Sequence, residues 1–275
     1  MRGLLITVFT AAVLAAQDPR EIVLQSAMRD ARDQELRRNY TFVQREELRR
    51  FDGSGNETSV ERKVYDILML YGRPYRRLTG KGGESLSAAE EKREQTRLDK
   101  EMAKRARETD GDRTKRLLEQ QKELEEEREF RKEIADAFTF RLAGEEVLGG
   151  LPAYVVEAEP KPGYKPRTRH GKVLTKVHGK LWISKSDRRW VKVDTEFLDT
   201  FSLGWFLVRV NKGTQMMFES TRVGGEVWLP RAAHLRGEAR LAGVKKYRLD
   251  LRVNWDNYRK FQTDSRIVEM PVVQQ

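Results

Sequence analysis

The side chains that could do chemistry in this sequence are few, and their spacing argues against most of it. Three histidines, His170, His178 and His234, are the only imidazoles, and imidazole is the usual general base and metal ligand near neutral pH. Two of them sit in a short duplicate, His170-Gly171-Lys172 and His178-Gly179-Lys180, and read as solvated loop histidines. Neither has a second ligand at metal-binding spacing, and no nucleophile elbow, H-E-x-x-H helix or glycine-rich phosphate loop occurs. Asp110-Gly111-Asp112 opens like a calcium loop but lacks the later oxygen ligands, so it reads as a turn between helices. The acidic pair Glu145-Glu146 stands without a catalytic context. Cysteine is absent, which removes disulfides, thiolate zinc sites and cysteine nucleophiles. The sequence predicts no catalytic residue, no metal and no cofactor, hence not an enzyme.

Two other groups of residues point to binding. Lys161, Lys165, Arg167, Arg169 and Lys172, continued by Lys176 and Lys180, run without an intervening acid. Such a patch suits an anionic membrane surface, in keeping with a net charge of +11; the alternative is a solvated loop. The second group is apolar. All five tryptophans fall between Gly179 and Phe261, interleaved with phenylalanine and tyrosine. A sheet with so much aromatic surface must bury it against its own helices or against a guest. The candidate groove residues are Phe42, Ile67, Met69, Trp182, Trp190, Phe197, Trp205, Met217, Phe218 and Trp228, with strand parity turning some of them outward. Methionine adds adaptable surface for an irregular apolar guest.

The elements that must position these residues follow from hydrophobic period. Arg2 and the apolar run Leu4 to Ala16 form a secretory signal, and the chain turns polar at Gln17-Asp18-Pro19. Residues 1–16 are therefore expected to be a cleaved signal peptide and 17–275 a single soluble periplasmic domain without a lipid-anchor cysteine. Export makes nucleic acid an unsuitable partner. Glu21 to Arg38 repeats apolar residues at helical spacing, whereas Tyr40 to Phe51, Val60 to Tyr71 and Tyr75 to Leu78 alternate as strands around turn residues. Ala88 to about residue 137 is a charged stretch, read as two helices near 88–108 and 113–137. About eight more strands follow. The fold class is α+β: a large curved antiparallel sheet (an open half-barrel) with helices over its concave face, plus a long charged helical hairpin insertion at about 88–137.

Three strand segments carry a resemblance. Gly179-Lys-Leu-Trp-Ile183, Arg189-Trp-Val-Lys-Val193 and Gly225-Glu-Val-Trp-Leu-Pro230 follow one another at intervals similar to those of the outer-membrane lipoprotein-sorting proteins and periplasmic lipoprotein carriers (LolA-like). Ser184 stands where that pattern has an acidic residue, and the charged helices exceed what a simple carrier needs. The resemblance implies a carrier holding acyl chains of lipoproteins or other lipids in an apolar groove, with a role in outer-membrane lipoprotein sorting. The other reading is a non-catalytic envelope scaffold of the same fold, its concavity filled by its own helices and its charged hairpin serving as the surface for partner proteins.

Overall fold

Alternating apolar and polar residues drive most of this chain into strands, and the charged stretch after Ser87 into helices. The structure, a computed structural model, describes residues 18–203, 208–241, 245–262 and 266–267. The segment 1–16 and Trp205 lie outside the described residues. In chain order the elements are helix α1 (Pro19–Arg37), strands β1 (Tyr40–Phe51), β2 (Glu57–Leu70), β3 (Arg73–Lys81) and β4 (Glu84–Ser85), then helices α2 (Ala88–Ala106) and α3 (Asp110–Ala137). Strands β5 (Phe138–Leu148) and β6 (Leu151–Pro160), a 3₁₀ turn (His170–Lys176), β7 (Val177–Ser184) and β8 (Trp190–Phe197) come next. The short β9 (Phe201–Leu203) and β10 (Val208–Val210) precede β11 (Gln215–Val223), β12 (Val227–Leu241), β13 (Lys245–Gln262) and β14 (Arg266–Ile267).

Eleven strands lie side by side in the order β4-β3-β2-β1-β13-β12-β11-β8-β7-β6-β5. Two meanders, β1–β4 and β5–β8, are joined in the middle by β11–β13, and every pairing along the path is antiparallel. The sheet is open, with β4 and β5 at its two edges. The architecture is the expected α+β half-barrel with helices on the concave face.

The charged helices are the link between those edges: the chain leaves β4 and re-enters at β5. Capping boxes start both. Ser87 accepts from the Glu90 amide while Glu90 reaches back to the Ser87 amide, and Thr109 and Asp112 do the same for α3. The second box moves the start of α3 to Asp110, ahead of the expected residue 113, because aspartate at the third helical position serves as well as glutamate. The two helices then take separate partners. On β3, the Glu94 carboxylate of α2 accepts from Tyr75 Oη (3.2 Å) and the Leu78 amide (3.2 Å). Arg105 donates to the carbonyls of Leu70 (2.9 Å) and Arg73 (3.0 Å). By contrast, α3 lies against α1 and the 3₁₀ turn, with Arg20 donating to Asp136 (2.6 Å) and to the Ala135 carbonyl (3.2 Å).

The core follows strand parity. Along β6, Tyr154, Val156 and Ala158 join Ile22 and Val23 of α1, Ala137, Phe138, Leu174, Leu181, Ile183 and Phe197 in the main cluster beneath the helices. The alternate residues Ala153 and Val155 join Trp182, Val191 and Trp228 in a second cluster. Tyr40, Val227, Leu229 and Tyr258 form a third, flanked by Phe42 and Trp255. Among the described residues no helix is long and apolar enough to cross a membrane.

Candidate functional site

A cleft of about 440 Å³ opens between α1, α3 and β8, within the roughly 300–1,000 Å³ usual for small-molecule sites. Its apolar surface comes from Ala27 of α1, Phe130 and Ile134 of α3, and Trp190 of β8; Arg37, Glu127 and Arg131 supply charge. The α3 residues 127, 130, 131 and 134 share one helix face because they are three or four apart. Trp190 reaches the cleft through a β-bulge. Lys192 pairs with Trp182 but Trp190 pairs with Ile183, so the extra residue turns Trp190 to the helix side, where it packs beside the main cluster. Its Nε1 is shielded from solvent and has no acceptor among the described residues. The charged residues are held in place: Arg37 Nε donates to the Trp228 carbonyl at 3.2 Å, and Arg131 meets Glu127 at 3.4 Å. The arrangement suits an amphiphile, with its chain on the aromatic floor and its polar end among the charges.

On the neighbouring face of α3 a buried carboxylate organises the basic loop. Glu133 has no exposed surface. It accepts from the Arg167 amide (2.6 Å), the Thr168 amide (3.0 Å), the Thr168 hydroxyl (2.5 Å) and the Tyr164 hydroxyl (3.1 Å). Burial works to raise its pKa, but these four donors outweigh it and hold the carboxyl below its ordinary value. Gly171 is also required here, since a Cβ at that position would overlap the Glu133 carboxylate. Beside Glu133, Asp136 binds Arg167 (2.7 Å) and Arg20, which lowers its pKa.

The residues singled out from sequence are distributed over several places. Trp190 lines the cleft. Phe197 is buried in the main cluster beneath the helices, and Trp182 and Trp228 in the second cluster. There Trp182 Nε1 donates to Glu146 (2.8 Å) and Trp228 Nε1 to Asp187 (3.1 Å). Phe42 and Ile67 are cross-strand partners, and Phe42 lies 5.3 Å from the Tyr258 ring. Phe218 meets Trp255 edge-on at 6.4 Å. Met69 and Met217 are half-buried on β2 and β11. In the basic loop Lys165, Arg167, Arg169 and Lys172 are exposed and Lys161 half-buried.

Each histidine has its own neighbour: His170 rests edge-on against Phe130 at 6.3 Å, His178 lies 3.2 Å from Glu159, and His234 lies 3.0 Å from Asp250. Among the described residues no group of three or more acidic or histidine side chains is placed to share an ion. The residues not anticipated as site residues are Ala27, Arg37, Glu127, Phe130, Arg131, Ile134 and Glu133. Phe130 and Ile134 of α3 belong to an apolar stripe, with Leu117, Leu124 and Phe138, that is visible in the sequence at helical spacing but does not mark a cleft wall.

No family model and no curated protein matches the chain. Among solved structures it is similar to a DUF1329 family protein from Desulfovibrio piger (11% identity, 90% of this chain and 95% of that one, TM-score 0.34). It is also similar to a protein described as an outer membrane lipoprotein-sorting protein domain from Vibrio parahaemolyticus (13%, 90% and 95%, 0.32). A third is a LolA superfamily protein from Nitrosomonas europaea (13%, 87% and 93%, 0.30). At these scores the likeness carries no function from those proteins to this chain.

Proposed function

We propose that this chain is an exported, non-catalytic carrier that holds an acyl chain of a lipoprotein or another lipid in the cleft between α1, α3 and β8. Its place would be the periplasm and its process the sorting of outer-membrane lipoproteins. The observation that carries this reading is the cleft itself, with an aromatic and aliphatic floor from Phe130, Ile134 and Trp190 and a charged rim. Each methylene buried there contributes about 0.8 kcal/mol, so a chain can be held firmly without covalent chemistry. Release needs a receptor or bilayer offering an equally apolar site.

A rival reading, an envelope scaffold with no guest, draws support from Ile22 and Val23 of α1, which are buried in the main cluster with residues of the sheet. Organic extraction of the purified protein followed by mass spectrometry separates the two. Acyl lipid near one per chain is expected; its absence, together with failure to bind or displace an apolar fluorescent dye, would leave the scaffold.

A further inference from the structure

The loop between β6 and β7 presents cations of two kinds. Arg167 is engaged by Asp136 at 2.7 Å, Lys176 by Asp199 at 2.9 Å and Lys180 by Glu157 at 3.3 Å. Lys165, Arg169 and Lys172 are exposed and make no ion pair among the described residues. Nearby, Glu129 pairs with Lys132 at 2.7 Å and Asp136 with Arg20 and Arg167. Glu133 is held by neutral donors and Glu159 meets His178, so the three exposed cations outnumber the two carboxylates that lack a cationic partner and the local balance is positive.

The segment is also anchored along its length. Lys161 donates its amide to the Ala137 carbonyl (2.9 Å). The amides of Arg167 and Thr168 and the hydroxyls of Tyr164 and Thr168 converge on Glu133. The Gly171 amide then donates to Thr168 Oγ1 (2.9 Å), and Leu174 is buried in the main cluster. Cations on a pre-ordered backbone lose less conformational entropy on binding than cations on a free loop.

We propose that Lys165, Arg169 and Lys172 form a docking platform for an anionic lipid bilayer, with Glu133 as the positioning residue that holds it in shape. The choice of a bilayer over another polyanion rests on the reading of the cleft as an acyl-chain site, because such a guest comes from or returns to a lipid surface. The two features are adjacent: Phe130 lines the cleft and contacts His170 of the loop, and Glu133 lies one turn further along the same helix.

The test is co-sedimentation with vesicles of phosphatidylcholine alone and of phosphatidylcholine with phosphatidylglycerol, at low and high salt. Binding is expected only to the anionic vesicles and weaker at high salt, where surface charges are screened. The triple variant K165A/R169A/K172A should bind on the order of 100-fold more weakly, from about fivefold per residue, with its thermal midpoint and dye binding unchanged. Glu133→Gln keeps every platform cation; it should lose about tenfold in vesicle affinity and exchange the Arg167 and Thr168 amides faster. Triple-variant binding equal to the parent's, equal capture by neutral vesicles, or binding to heparin or single-stranded DNA but not to anionic vesicles would overturn the platform. Unchanged affinity of Glu133→Gln despite faster exchange would overturn the positioning role. Vesicle binding that persists in a protein carrying no lipid and no dye would retain the platform and refute the cleft reading instead, so the two failures are distinguishable.

Discussion

Replacing Glu133 by glutamine perturbs the site at one atom and one charge. In the parent, Oε1 accepts from Tyr164 Oη and the Arg167 amide, and Oε2 from the Thr168 amide and hydroxyl. Glutamine offers one carbonyl oxygen and one NH₂ group. Hydroxyls can rotate to accept from the NH₂, but a backbone amide cannot, so whichever way the side chain sits one of the two amides faces another donor. A buried donor without an acceptor costs about 1–3 kcal/mol, and the remaining hydrogen bonds lose their charge assistance. A loss of about 2–4 kcal/mol of unfolding free energy at pH 7 is expected, read from urea denaturation.

The pH dependence gives a second check. The folded carboxyl titrates below its unfolded value, so the unfolded chain binds its proton first as pH falls. The stabilisation is complete above about pH 4.3, the ordinary glutamate value, and is lost as pH drops through the folded pKa. Glutamine cannot titrate, and the gap between parent and variant should therefore narrow steadily under acid. A gap below about 0.5 kcal/mol at pH 7, the size of an ordinary surface change, would refute the reasoning, as would one that persists unchanged at pH 3.

Four further changes test other parts of the structure. Ile134→Trp places an indole in the cleft and should weaken apolar-dye or acyl-chain binding at least about tenfold, or about 1.4 kcal/mol, with little change in urea midpoint. Gly179→Ala should destabilise by about 1–3 kcal/mol, because a Cβ there would overlap the Asp194 carbonyl and force β7 from β8; Gly111→Ala, with open space at the start of α3, should be neutral or stabilising by up to about 1 kcal/mol in thermal melts. Arg105→Ala leaves the carbonyls of Leu70 and Arg73 without that donor and should increase protease cleavage within α2 before global unfolding.

Much of the fold was legible because its signals are local. Turn residues at Asp52–Asn56 and alternation through β1 and β2 place a hairpin without tertiary information, and a serine ahead of the charged run, Ser85 or Ser87, marks the start of α2. The groove was harder to read. A bulge reverses side-chain parity without leaving a trace in the hydrophobic pattern, and one between β7 and β8 decides that Trp190 and Trp182 part company. Glu133 carried no signal at all. It is one acid among many on a charged helix, and its importance comes from the Tyr164–Thr168 segment folding back over it from some thirty residues away. Gly179 shows the opposite case: the residue stood out in the strand motif, and the close approach of the Asp194 carbonyl explains it.

The charged helices change meaning once the topology is known. As sequence they read as an inserted helical hairpin, either lying over one sheet face or standing out as a surface for partners. Yet β4 and β5 are the two edges of an eleven-strand path, roughly 48 Å apart if the sheet were flat, and the chain must travel from one to the other. Helices of 19 and 28 residues supply about 28 and 42 Å of rigid length, enough to cover that distance with a corner at Thr109. The connection also does more than span. The last turns of α3 provide Phe130 and Ile134 to one side of the helix and Glu133 to the next, so the cleft wall and the anchor of the basic loop are fixed to each other by the same backbone. That shared origin in one necessary crossover, more than the tryptophans of the sheet, is what sets an apolar cleft beside a positively charged surface in this protein.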